Sequence, residues 1–195
     1  MHKGRLEAFS DGVIAIIITI MVLEIKVPHG DGAADWPALR KLLPVFLSYV
    51  LSFVYVGIYW NNHHHLFQAV HRTNGAILWA NLHLLFWLSL LPFASGWMGE
   101  NHFMLPPTML YGTVLLMSGT AYYILQQAIV AEHGSDHALT KALGRDIKGK
   151  ASIAIYLIAL PVCFWKPQLA HMLYIIVALM WLIPDRRIER ALAEK

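Results

Sequence analysis

Cysteine is almost missing from this chain: of its 195 residues only Cys163 is one, and it lies inside an apolar run. A disulfide framework and a cysteine-based metal site are thereby excluded. Charge is equally scarce, at 14% Asp, Glu, Lys and Arg, where an ordinary soluble domain carries about 25%. Long runs of Lys or Arg are lacking, and with them the electrostatic footprint of a nucleic-acid-binding protein. The N-terminus has no A-x-A cleavage signal. The apolar stretch after His2, Lys3 and Arg5 is bracketed by Asp11 and Glu24, which marks it as a retained first span rather than a signal peptide. Internal repeats and low-complexity tracts are lacking too.

What the chain does hold is apolar surface, with 57% hydrophobic residues and a mean hydropathy of +0.52. That excess over the soluble norm of about 45–50% points to lipid and away from a soluble enzyme. Crossing a bilayer takes roughly 20 apolar residues per helix. Six candidate spans follow from the apolar runs: Ala8 to Ile25, Leu42 to Trp60, Ala76 to Met98, Thr108 to Val130, Ile153 to Trp165 and Leu169 to Ile183. Breaks at Pro28 to Pro37, His63 to Thr73, Glu100 to Pro107, Glu132 to Lys150 and Lys166 to Pro167 separate them. The fifth and sixth are short, so a single re-entrant hairpin there is the competing count. Residues 1–195 then make one all-α, polytopic membrane domain.

Basic residues favour the even count. With both termini in the cytoplasm, the inner segments carry eleven Lys and Arg and the outer loops four, namely Lys26, Arg40, Lys41 and Lys166. That asymmetry obeys the positive-inside tendency.

The first span is unusual. From Gly12 to Leu23 its uncharged run is only twelve residues long, more typical of a helix shielded by protein than of one facing lipid. Taking Ile16 as zero and about 100° per residue, Phe9, Ile20, Leu23 and Val27 all fall within about 40° of it, whereas Asp11 lies on the opposite side. An ionisable group in a span seeks polar partners, so Asp11 is expected to face neighbouring helices. The stripe then has two destinations. It packs into the bundle or against lipid, or copies of it meet on a symmetry axis as a dry constriction that gates ions by dewetting.

The residues themselves carry a resemblance. The string Arg5, Leu6, Glu7, Ala8, Phe9, Ser10, Asp11, Gly12, Val13, Ile14, Ala15, Ile16, ending in Leu23, Glu24, Ile25, Lys26, Val27, Pro28, closely resembles the first-helix signature of the transmembrane protein 175 family. The family consists of potassium channels of lysosomes and prokaryotes. Ile14 departs from the pattern, where an aromatic residue is common. The resemblance implies a single-repeat prokaryotic subunit in a cell membrane that assembles as a homotetramer, with four first helices around one pore conducting K⁺. It also puts the pore-constricting residues at Ile16, Ile20 and Leu23, the same set that helical phase picks out.

For Thr19, next to the stripe, two roles stay open: a bond to the carbonyl one turn back, or the part in potassium selection that the resemblance implies. The filter sequence T-V-G-Y-G is missing, so a carbonyl cage of that kind is not supported. Ser10 and Asp11 are expected to bond polar groups of the second and third spans, with Asn81 and His83 the conspicuous partners and Arg5 joining near the inner surface. That network is read as structural support, with a gate or proton sensor as the other role. Glu24 stands at the outer mouth, either concentrating cations or simply ending a helix.

His63, His64 and His65 do not make a metal site, because consecutive residues project about 100° apart on a helix. They are read as the interfacial end of the second span. His133 and His137 have i, i+4 spacing, but Gly134 interrupts them, and no metal or other cofactor is expected. Pro92 and Pro161 should kink their spans, while Trp60, Trp97 and Trp165 anchor span ends at the interface. The expectation is thus a passive potassium channel, not an enzyme. An ion-coupled secondary transporter is the alternative; it would call for inverted repeats or broken helices at the midplane, and this sequence shows no repeat.

Overall fold

The computed structural model describes residues 3–30, 32–68, 70–134 and 146–182, and their regular structure is all helical. Helix α1 spans Lys3–Leu23, α2 Trp36–Lys41, α3 Leu43–Gln68, α4 Gly75–Ser89, α5 Leu91–Glu100, α6 Leu105–His133, α7 Ile147–Trp165 and α8 Pro167–Leu182. Among the described residues, five stretches are long and apolar enough to cross a membrane: α1, α3, the combined Gly75–Glu100, α6 and α7. The last described helix, α8, is apolar along the 16 residues described, Pro167–Leu182. It packs against α7 across the single residue Lys166, so the two form a helical hairpin.

Local chemistry sets the helix ends. Asn74 caps α4 by accepting from the Ile77 amide at 2.9 Å, and the Asp146 side chain accepts from Gly149 at the start of α7. Prolines at the first positions open α2, α5 and α6, where their missing N–H has no intrahelical partner to lose. Gly134, with φ of 79°, ends α6.

Three sequence expectations change here. The second span does not stop at Trp60: α3 runs on through the histidines to Gln68, because the face of Ser52, Tyr55, Val56, His63, Leu66 and Phe67 stays buried throughout. The third span is two helices meeting at Leu90, since Pro92 can neither donate to the residue 88 carbonyl nor fit its ring beside it. Within the first outer break, Trp36–Lys41 is helical. Of the eleven inner basic residues, Lys141, Arg145, Arg186, Arg187, Arg190 and Lys195 lie outside the described residues, as does His137.

Bonds at the helix ends show that successive long helices alternate in direction. The Lys3 ammonium donates to the Gln68 carbonyl, joining the start of α1 to the end of α3. Amides of His71 and Arg72, before α4, donate to the His133 imidazole at the end of α6 at 3.0 and 3.2 Å. Lys148, opening α7, sits over the Trp181 ring at the end of α8. At the opposite end, Lys26 pairs with Glu100. Helix α1 packs on α3, α4 and α5, while α6 lies between α4 and the α7–α8 hairpin.

Two glycines permit the closest approaches, as small residues do between membrane helices. A β-carbon at Gly99 would come within 2.5 Å of the Val45 Cα, and one at Gly112 within 2.0 Å of the Tyr174 hydroxyl. That hydroxyl donates to the Thr108 carbonyl, while Tyr55 donates to the Tyr174 carbonyl and Tyr156 to Tyr55. The far half of the bundle is thus pinned by buried phenols whose bonds end on backbone.

Candidate functional site

Helix α1 divides into two faces. Leu6, Ser10, Ile14, Ile17 and Met21 are buried against α3, α4 and α5. Their spacing of three to four residues puts them on one side. The other side is bare in the subunit: Ile16 is 57% exposed, Ile20 43% and Leu23 73%, with Phe9 and Val27 in line with them. The residues singled out by helical phase therefore share the face that no other described part of the chain covers. Ile14, the departure from the family pattern, is buried on the opposite face. Beside the stripe runs a strip of small exposed residues, Ala8, Gly12, Ala15 and Thr19. The Thr19 hydroxyl donates to the Ile16 carbonyl at 2.9 Å, which commits its proton but leaves oxygen lone pairs on the open side.

The buried face is held by a polar chain. Ser10 donates from Oγ to the Leu6 carbonyl at 2.9 Å and accepts from Asn81 Nδ2 at 2.9 Å, and the Asn81 carboxamide oxygen lies 2.8 Å from His63 Nε2. Ser10, Asn81 and His63 are each essentially inaccessible, and the His63 ring stacks on Phe67 with centroids 4.4 Å apart. One carboxamide thereby ties α1 to α3 and α4 in a setting where an unpaired polar group is costly.

Asp11 lies at the edge of this contact, exposed, and accepts from the Trp60 indole at 3.0 Å. The structure brings together Ser10 and Asn81, and separately Asp11 with the second span. His83 is elsewhere: its imidazole accepts from Trp87 on its own helix. Arg5 is exposed near the start of α1.

Sequence reasoning missed His63, placed at a span end and found at the centre of the chain. Its signal was present in the i, i+4 series Tyr59, His63, Phe67, which continues the buried face of α3. Trp60, expected only as an interface anchor, is the Asp11 donor.

Glu24 follows α1 and turns to the flank, half-buried against α5. A β-carbon at Gly96 would lie 2.8 Å from its carboxylate oxygen, so a larger residue there would push the Glu24 side chain aside. Nearby, Lys26 donates to Glu100 at 2.6 Å. That hydrogen bond, aided by the Glu100 charge, holds the ammonium pKa above the ordinary lysine value. Along the same flank a groove of about 420 Å³ is lined by residues that include Ile16, Ile20, Glu24 and Phe93. Among the described residues no three His, Cys, Asp or Glu converge as a metal site.

These features define a multi-pass α-helical membrane protein whose first helix is gripped on one face and bare on the other. Residues 5–92 match the family described as "Endosomal/lysosomal potassium channel TMEM175". A protein from Chryseobacterium sp. (strain P1-3) named as a potassium channel is 55% identical over 194 residues, covering 100% of both chains. The human endosomal/lysosomal proton channel TMEM175 is 37% identical over 103 residues, which are 48% of this chain and 20% of the human one. A crystal structure of a lysosomal potassium-selective channel TMEM175 homolog from Chamaesiphon minutus superposes with a TM-score of 0.81 at 29% identity, covering 94% of this chain and 97% of that one. The chain belongs to the TMEM175 family, as a member of its prokaryotic, single-repeat type.

Proposed function

We propose that this chain is a potassium channel, conducting passively through a central pore that four copies form by each contributing α1. The reading rests on the two-sidedness of α1: one face is locked to α3, α4 and α5, while Ile16, Ile20 and Leu23 are left bare. The strip of Ala8, Gly12, Ala15 and Thr19 supports it, because small side chains let helices approach closely in a membrane. Potassium as the ion is supported by the names of the Chryseobacterium and Chamaesiphon relatives.

In this arrangement three rings of branched aliphatic side chains constrict about 10 Å of pore, at ~1.5 Å per residue from Ile16 to Leu23. Such a bottleneck gates by wetting and dewetting. Thr19 offers oxygen lone pairs between the rings, and Glu24 adds negative charge at the mouth from the flank. The chain Ser10–Asn81–His63, with Asp11 on Trp60, fixes the rotation of α1 so that the stripe meets the axis. Residues 1–195 act as one six-helix unit in a prokaryotic plasma membrane, with both termini in the cytoplasm.

The test is flux from liposomes holding the purified chain under a potassium gradient, with sodium as the comparison. Ile16→Asn and Leu23→Asn should each wet the bottleneck and raise cation flux or relax selectivity. Unchanged currents in both, with normal expression, overturn the pore assignment. A flux that requires a coupling ion turns the protein into a transporter.

A further inference from the structure

Away from α1, a cavity of about 40 Å³ lies between α3, α6, α7 and α8, walled by residues that include Tyr59, Asn62, Gly119, Tyr122, Ser152 and Trp181. It sits within the first turns of α7 and the last of α8, close to one end of the bundle. Most polar groups around it are already engaged. Tyr122 donates to the Asn62 carbonyl at 3.1 Å, and the Asn62 carboxamide nitrogen donates to the Ile58 carbonyl at 2.8 Å. Ser152 donates to the Lys148 carbonyl and accepts from the Trp181 indole, both at 2.8 Å.

Tyr59 is different. Its hydroxyl faces the space beside Gly119, 3.7 Å from where a β-carbon would stand, and bonds no described residue. A phenol in an apolar setting without a partner forfeits a hydrogen bond, and neighbouring Tyr55, Tyr122 and Tyr156 each have one.

We propose that this cavity is a hydration site, in which ordered water bridges the Tyr59 hydroxyl to Asn62 and Ser152 and forms part of the seat of the α7–α8 hairpin. Volume decides the occupant: a water needs about 10–15 Å³ on this measure, so two or three fit, whereas a cavity that takes benzene is near 150 Å³. Chemistry agrees. Among the described residues that line it none is charged, which disfavours an ion. The Asn62 carboxamide oxygen, a remaining lone pair of Ser152 and the Tyr59 hydroxyl supply three of the two to four partners that a buried water requires. Gly119 belongs to the site because it leaves the room: a methyl there would meet its neighbours at ordinary contact distances of 3.7–3.8 Å.

The test uses the full chain in detergent or nanodiscs and reads thermal unfolding. With water in place, Tyr59→Phe lowers the midpoint, because the water loses a partner. Gly119→Ala lowers it too, by expelling water and orphaning the phenol, and Tyr59→Phe added to Gly119→Ala recovers part of that loss. A dry cavity gives the reverse signs: Tyr59→Phe removes an unsatisfied hydroxyl and Gly119→Ala fills a void, so both raise the midpoint or leave it unmoved, which overturns the proposal. Density maps of the unaltered chain that resolve water decide it independently. A peak at about 2.7–3.0 Å from the Tyr59 oxygen supports the site, and clear density without one refutes it.

Discussion

Asn81 holds three helices with one carboxamide, and that economy makes it the most exposed point of failure in the subunit. Replacing it with Leu leaves a His63 ring nitrogen unpaired in the core and takes away the donor that Ser10 accepts, although Ser10 keeps its bond to the Leu6 carbonyl. Each unsatisfied buried group costs about 1–3 kcal/mol, so the unfolding midpoint in detergent should fall clearly. His83→Phe should leave it nearly unchanged, since His83 bonds only within α4 among the described residues. Equal effects of the two would show that the chain through Asn81 is not what grips α1. Lys26 behaves otherwise. Its raised pKa means that the pair with Glu100 contributes fully below the ordinary lysine value of 10.5 and is lost only as pH climbs through the higher folded value. A pH titration of stability should therefore show no step from Lys26 across the neutral range and a decline only in strong alkali. Because the pair is exposed, Lys26→Met should move the midpoint little at neutral pH.

At the scale of helices, close approach decides what is tolerated. Gly99→Ala drives a methyl into the backbone of Val45, where nothing can swing aside, so α5 must lift from α3. Overpacking of this kind typically costs 1–3 kcal/mol, here about that range, and the expected readout is a lowered unfolding midpoint. Gly57→Ala, on α3 with open space around its β position, is the control and should be neutral or slightly stabilising. The sequence makes the existence of these helices plain, because long apolar runs between polar breaks have few other solutions in lipid. Their ends were less legible. The extension of α3 through His63 was hidden because three consecutive histidines read as an interface, and only the buried i, i+4 face reveals otherwise. The division at Leu90 was foreshadowed by Pro92, whose consequence for a helix is fixed by covalent structure. Of the polar partners, Ser10 and Asn81 were readable as groups a membrane interior cannot leave alone. His63 and Trp60 were not, since their identity as partners depends on how α3 is rotated.

For the whole molecule, the open face of α1 sets the assembly that the proposal needs. In a background carrying Cys163→Ser, Leu23→Cys should form disulfide-linked dimers on mild oxidation in membranes, because the proposed pore brings copies of that position together. Leu157→Cys, similarly exposed but on α7, should remain uncrosslinked. Disulfides need β-carbons about 4 Å apart, so absence of a Leu23→Cys product under conditions that oxidise a control pair would place the stripe away from the axis.

Finally, the one-residue turn at Lys166 bears on how this protein enters its membrane. With a single residue between the two helices, Lys166 leaves α8 no position except alongside α7. The pair must therefore be handed to the lipid together, as one hairpin. Lengthening that turn with a flexible linker would separate the two insertion events and leave α8 to enter the bilayer without its neighbour.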